Sequence, residues 1–259
     1  MRAPFRVAVI TGASSGLGAA LAQAYAGPQT ALGLVARNRE KLEAIAGACR
    51  AAGALVETAT IDVTDGPALA AWLTEFDRAH PVELLIANAG TSAGPAPDEP
   101  GEPTDKTLLQ LSTNLLGVVH TVAPLVPAMC ARRRGRIAII ASIAGLRGLS
   151  DSPGYSASKS GARAYGEALR ARLAPYGVGV TVVCPGFFSS PMTDRWQGPT
   201  PFMLSGERAA QRIKRGIDAG RRRVTFPWPL VLTLRFGDLA PAAIGDEIVR
   251  RFRFHIRSG

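Results

Sequence analysis

Eight residues constrain this chain most. Thr11-Gly12-Ala13-Ser14-Ser15-Gly16-Leu17-Gly18 follow directly on the apolar run Val7-Ala8-Val9-Ile10 and precede a stretch of helical composition at 19–26. An apolar run that short, with no cleavage site, reads as a first strand rather than a secretory leader. Glycines at 12, 16 and 18, between a strand and a helix, let the backbone come close to a pyrophosphate, whose charge then meets the unpaired N–H groups of the helix N-terminus. A tight turn without function would look the same in isolation, but this one sits where a dinucleotide cradle sits. Gly12, Ser14, Ser15, Gly16, Leu17 and Gly18 are therefore candidate cofactor contacts.

The alternation then repeats. Expected strands at 31–35, 55–61, 82–87, 137–141 and 178–184 are separated by expected helices at 39–52, 67–79, 108–131 and 155–173. Pro67 falls in the first turn of its helix, a favoured place. Arg132-Arg133-Arg134-Gly135 supplies cations and a glycine where the helix 108–131 should end. Alternating β and α with near-continuous apolar strands implies an α/β fold: a doubly wound parallel sheet (Rossmann fold) in a single domain over 1–259, with ligands beyond the strands' carboxyl ends. Residues 92–104, rich in proline and acidic residues, read as a loop. After Cys184 the pattern loosens. Residues 187–220 read as a lid, with Ser205 capping a helix that runs to about 219, and 221–259 as a basic, apolar C-terminal extension.

Tyr155-Ser156-Ala157-Ser158-Lys159 puts a phenol and an ammonium four residues apart, on one face of a helix. A phenol ordinarily titrates at about 10. A cation held close favours the phenolate and lowers that value, so the group can trade protons near neutral pH. With Ser142 upstream and the glycine turn, the pattern describes a ketone reductase or alcohol dehydrogenase. Arg37 ends the second strand, where dinucleotide folds place an acid for the ribose 2′-OH. Ala36 and Arg37 stand there instead, with Arg39 close by. No carboxylate repels a 2′-phosphate and a guanidinium can pair with it, so NADP is the expected cofactor.

At this point the chain resembles the short-chain dehydrogenase/reductase family over roughly residues 5–195. The matching residues are Thr11-Gly12, Gly16, Gly18, Asp62-Val63, Asn88-Ala89-Gly90, Asn114, Ser142, Tyr155, Lys159 and Pro185-Gly186, in the family's order and spacing. The resemblance implies that Asp62 and Val63 contact the adenine and that Asn88, Ala89 and Gly90 close the fourth strand beneath the cofactor. It implies that Pro185, Gly186, the Phe188 backbone and the Ser190 hydroxyl hold the nicotinamide carboxamide. Tyr155 would protonate the carbonyl oxygen. Lys159 would lower the Tyr155 pKa and bind the nicotinamide ribose, and Ser142 would hydrogen-bond the substrate oxygen. Asn114 would hold a water linking Lys159 to solvent; a buried amide bonded to backbone would look identical in sequence. The helices 108–131 and 155–173 resemble the family's dimer-forming pair, so a homodimer or homotetramer is expected. The C-terminus departs from the ketoacyl-carrier-protein reductases of the family, which close near a Val-Asp-Gly-Gly, and that puts carrier-protein reduction in doubt.

Composition narrows the partners. The net charge of +10 is concentrated, with twelve Lys/Arg against five Asp/Glu in residues 201–259 and eighteen against fifteen in the first 200. A solvated surface is one reading, an anionic partner the other. Arginines flank Phe226, Trp228 and residues 230–234, an arrangement suited to an anionic membrane surface, to a subunit contact or to a flap over the active site. Three cysteines far apart in sequence read as reduced thiols in a cytoplasmic protein. His80, His120 and His255 lack ligand spacing, so no metal is implied. Basic residues interleave with aromatics only in Arg251-Phe252-Arg253-Phe254, so nucleic acid is not expected. Phe187, Phe188, Met192, Trp196, Phe202 and Met203 crowd the lid and favour a hydrophobic small-molecule substrate, unless they only pack the lid onto the body. The resulting expectation is an NADP-dependent oxidoreductase acting on a hydrophobic ketone or secondary alcohol. The alternatives are a ketoacyl-thioester or hydroxysteroid-type oxidoreductase, and a cofactor-binding scaffold or sensor, which a missing Tyr or Lys would have favoured.

Overall fold

In the computed structural model, which describes residues 5–95, 99–250 and 254–256, the apolar runs become strands of one parallel sheet. They are β1 (Val7–Thr11), β2 (Ala31–Ala36), β3 (Leu55–Thr60), β4 (Leu84–Ala87), β5 (Gly135–Ile140) and β6 (Val178–Pro185). A two-residue strand, β7 (Trp196–Gln197), follows outside the sheet; β8 (Arg223–Phe226) completes it, and β9 (His255–Ile256) pairs with β7. The order β3-β2-β1-β4-β5-β6-β8 reverses direction between β1 and β4. Side chains alternate across each strand. Ala8 and Ile10 enter one apolar layer with Leu17, Leu21, Leu42 and Ile213, while Val9 enters the other with Leu73, Phe76, Val118 and Ile139. Burial on both faces is why β1, β2, β4, β5 and β6 read as near-continuous apolar runs, whereas the edge strand β3 alternates buried and exposed residues.

The first layer is covered by α1 (Gly16–Tyr25), α2 (Arg39–Ala51) and, later in the chain, α8 (Gly206–Asp218). The other carries α3 (Gly66–Ala79) and the segment expected as a single helix over 108–131. That segment is divided. α4 (Thr104–Leu111) passes through a π turn at Ser112–Leu116 into α5 (Gly117–Val122), and α6 (Val126–Ala131) starts afresh. Pro124 and Pro127 lack the N–H groups a continuous helix would need there. α6 ends in a paired cap, Arg133 N–H to Cys130 O at 3.0 Å and Arg134 N–H to Met129 O at 3.1 Å. Arg133, at φ 50°, takes the left-handed position rather than Gly135, which opens β5. α7 (Pro153–Leu173) then packs beside β6.

The expected extension over 221–259 also needs correction. Arg223–Phe226 is the seventh strand, parallel to β6 with Val183 opposite Val224, and Phe226 is fully buried. The extension proper is α9 (Trp228–Leu239), α10 (Ala242–Arg250) and β9. Arg251, Phe252 and Arg253 of the basic–aromatic end lie outside the described residues, as do 96–98 of the loop over 92–104. Ser205 caps α8 as expected, its hydroxyl accepting from Arg208 N–H at 3.2 Å. Among the described residues no helix is long and apolar enough to cross a membrane.

Candidate active site

A crevice opens beyond the carboxyl ends of the strands, at the reversal between β1 and β4. The glycine turn enters it from β1. Gly12 and Gly16 have left-handed backbone, at φ 68° and 53°, and a Cβ on Gly18 would collide with the Gly12 carbonyl. The turn is fastened to the end of β4. Asn88 Nδ2 donates to the carbonyls of Thr11 at 2.9 Å and Gly12 at 3.4 Å. The Thr11 hydroxyl accepts from the N–H groups of Asn88 and Ala89. The first-turn N–H groups of α1 have no partner within the helix, so the crevice wall is lined with donors.

The crevice has a volume of about 610 Å³. Its walls are Gly12, Ser14, Ser15, Gly16, Leu17 and Gly18 from the turn, Arg37 after β2, and Asp62 and Val63 after β3. Asn88, Ala89 and Gly90 come after β4, Tyr155 and Lys159 from α7, and Pro185, Gly186, Phe188 and Ser190 from the end of β6 onward. Ser142 lines it too. Asn38, Ile61, Thr113 and Ile140 also belong to the wall. Asn38 and Ile61 were within reach of sequence reasoning as neighbours of Arg37 and Asp62; Thr113 arrives through the π turn, which no pattern announced. Arg37 extends into solvent, its side chain 66% exposed, with Nη1 3.5 Å from Asp62 Oδ2. Burial raises the Asp62 carboxyl, but hydrogen bonds from the Thr64 N–H and hydroxyl, together with the Arg37 charge, hold it below the usual carboxylate range.

The catalytic candidates converge on one end of the crevice. Ser142 follows β5 and caps the short turn Ile143–Gly145, its Oγ accepting from Ala144 N–H at 3.1 Å. Burial pushes the Tyr155 phenol above its ordinary value, and the hydrogen bond with Ser142 works the other way. Lys159, one helical turn on, has its Nζ 5.7 Å from the centre of the Tyr155 ring and donates to the Ile140 carbonyl at 2.9 Å. Burial pulls its ammonium down to about 8. In this arrangement burial dominates both groups and outweighs any lowering of the phenol by the ammonium.

Asn114 does not line the crevice. Fully buried in the π turn, its Nδ2 donates to Thr91 O at 2.9 Å and Ser158 Oγ at 3.0 Å, and its Oδ1 accepts from Thr91 N–H at 2.7 Å. Its side chain ties the loop after β4 to α7. Turns of this kind recur at functional sites. The Ser190 hydroxyl is engaged locally, accepting from Thr193 N–H at 3.2 Å.

A second cavity of about 140 Å³ adjoins the crevice and shares Ser142, Tyr155, Gly186, Phe188, Ser190 and Met192 with it. Phe187 and Trp196 of the lid reach it, whereas Phe202 and Met203 do not and are exposed. Leu230, Leu234, Val249, Phe254 and Ile256 also line it, and among the described residues no charged side chain does. Among the described residues no group of His, Cys, Asp and Glu could hold a metal ion.

The doubly wound sheet and the crevice at its reversal are those of a Rossmann-type protein. The family model for short chain dehydrogenases matches residues 6–199, and the chain belongs to that family of oxidoreductases. It is 34% identical over 250 residues to an oxidoreductase of Myxococcus xanthus, covering 96% of this chain and 98% of that one. It is 34% identical over 189 residues to the ketoacyl reductase HetN of Nostoc, covering 71% and 64% of the two chains. Among solved structures it is similar to a short chain dehydrogenase/reductase from Burkholderia phymatum in complex with NAD, with TM-score 0.81, 27% identity and coverage of 90% and 94%. It is also similar to a variant of the actinorhodin polyketide ketoreductase with NADPH, with TM-score 0.75, 29% identity and coverage of 87% and 97%.

Proposed function

We propose that this enzyme is an NADP-dependent carbonyl reductase/alcohol dehydrogenase whose substrate is a neutral, hydrophobic ketone or secondary alcohol. The observation that carries the reading is the sharing of Ser142 and Tyr155 between a large donor-lined crevice and a small apolar cavity. The crevice fits a dinucleotide: two left-handed glycines and a third with no room for a side chain bring backbone close to a pyrophosphate. Arg37 stands at the end of β2 where no carboxylate of that strand competes, and although it pairs with Asp62 at 3.5 Å it is largely solvated, so its guanidinium can turn to a 2′-phosphate. The structurally similar proteins bind NAD in one case and NADPH in another, so the cofactor rests on Arg37 alone.

Bound in the crevice, the nicotinamide supplies the hydride or accepts it. Tyr155 gives its phenolic proton to the substrate oxygen, and the reverse reaction returns it. A phenol held above its ordinary pKa by burial gives up that proton only beside a compensating charge, which Lys159 provides. Ser142 donates to the same oxygen and fixes its position. Asn114 holds α7 against the loop after β4, and we assign it the water through which Lys159 reaches solvent. Apolar walls favour a hydrophobic substrate, each buried CH₂ contributing about 0.8 kcal/mol.

A second reading, reduction of a ketoacyl thioester, is favoured by the ketoacyl reductases among the similar proteins; the small cavity weighs against it. Following nicotinamide absorbance with NADPH and NADH, for methyl ketones and a ketoacyl thioester side by side, separates the readings. Turnover of ketones with NADPH supports the first, and turnover of the thioester alone supports the second. Leu108, Leu109 and Leu116, all about half exposed, are the surface we assign to a homodimer or homotetramer contact. Three free cysteines fit a cytoplasmic location.

A further inference from the structure

The C-terminal segment is fastened to the catalytic face at several points. β9 runs antiparallel to the lid strand β7, with Trp196 opposite Ile256 and Gln197 opposite His255. The rings of Trp196 and Phe254 stack with centres 3.6 Å apart, and Phe187 meets Trp196 edge-on at 5.0 Å. Asp151, buried four residues before Tyr155, accepts from the Phe254 N–H at 3.0 Å. Arg147, in the loop that joins Ser142 to α7, donates to the Gly237 carbonyl and to Asp246 Oδ1, each at 2.8 Å. α9 and α10 cross so closely there that a Cβ on Gly245 would strike the Gly237 carbonyl. Leu234 packs on Ile143 and Leu146, directly after Ser142.

These contacts leave a cavity of about 140 Å³, below the ~300–1,000 Å³ of most ligand sites. Ser142 and Tyr155 line it together with Leu234, Phe254 and Ile256. We infer that residues 228–250 and 254–256 form a built-in wall of the substrate cavity and set the size limit of the substrate, with Leu234, Phe254 and Ile256 as its specificity-determining side chains. The inference rests on the ketone-reductase reading and deepens it: the substrate is a compact, neutral, apolar ketone. Among the described residues of the wall no side chain offers a counter-charge, so a charged substrate would enter at a large desolvation cost. A longer chain would need this wall to move.

The test compares wild type with Leu234→Ala and Phe254→Ala, which enlarge the cavity, and with Leu232→Ala, which removes a side chain outside its wall, at 59% exposure. With NADPH and methyl ketones from 2-butanone to 2-dodecanone, wild type should prefer the short members. Each wall variant should raise kcat/KM for the long members about tenfold or more, leave KM for NADPH unchanged, and differ from Leu232→Ala, which follows wild type. Saturation-transfer NMR of the same ketones on the NADP-loaded proteins reads occupancy without turnover. Should Phe254→Ala not fold, Phe254→Leu should shift the preference less, in the same direction. An unchanged size preference in folded wall variants overturns the inference, as does a wild type that binds all lengths equally. A shifted preference in NMR without turnover in any protein supports the wall and removes the reductase reading instead.

Discussion

Arg37 is where one residue carries the most functional weight on the least structural support. Its guanidinium is largely solvated and touches Asp62 at 3.5 Å, so its role depends on what is bound. Exchanging Ala36→Asp with Arg37→Ala adds a partner for a ribose hydroxyl and removes the partner of a phosphate. NADP affinity should fall by on the order of 1.5 kcal/mol, the lower end for a charge-assisted contact because water screens an arginine this exposed, and preference should move toward NAD. Side-by-side kinetics check it; a wild type that already prefers NADH contradicts the assignment. Lys159 makes a pH prediction. Its ammonium, down to about 8 from 10.5, loses its proton as pH passes about 8, so kcat/KM for NADPH, which reports the free enzyme, should decline above that pH. Lys159→Arg should move the decline to higher pH. The sign for stability is opposite: between about 8 and 10.5 the unfolded chain binds more protons than the folded one, so this group's cost to the fold is relieved as pH rises through that window. A flat pH profile from wild type would remove Lys159 from the mechanism.

Elements differ in how much of their structure local sequence carries. The β1–turn–α1 unit was legible because each constraint is local: an apolar strand, glycines in the turn, a helix directly after. Gly18 shows how tightly the unit is built. Gly18→Ala should cost about 1–3 kcal/mol of stability by overpacking against the Gly12 carbonyl, and should weaken NADPH binding more than ketone binding, because the collision lies in the cradle. Thermal unfolding and a cofactor titration check both; unchanged values would mean the turn tolerates a side chain and the cradle is misread. The helix expected over 108–131 shows the opposite case. Its composition is apolar and helical throughout, yet Pro124 and Pro127 break it and the π turn shifts its face so that Asn114 bonds Thr91 and Ser158. Arg223–Phe226 was hidden because three arginines precede a run of only three residues with strand character, and its pairing with β6 is a tertiary fact.

At the scale of the whole molecule, the motif residues were legible because resemblance fixes them one by one, and all but the buried Thr11 and Asn114 line a common crevice. The substrate side was not, because much of its wall comes from Leu230, Thr233, Leu234, Val249, Phe254 and Ile256, brought there by pairings such as Trp196 with Ile256 that leave no local pattern. The arrangement also divides the C-terminal surface. Phe226, Leu234 and Phe254 are buried, while Trp228, Leu232, Phe236 and Leu239 on α9 are 59–86% exposed. If that outward face meets anionic lipid, cosedimentation with anionic liposomes should exceed that with neutral ones and weaken with salt; equal failure with both returns the face to a subunit contact. The central claim, proton transfer by Tyr155 beside a nicotinamide, is tested most directly by one comparison. Ketone-dependent NADPH oxidation and NADPH binding are measured for wild type and Tyr155→Phe. The account predicts that the variant binds NADPH as wild type does and loses nearly all turnover, and substantial turnover by a folded, NADPH-bound Tyr155→Phe enzyme would contradict it.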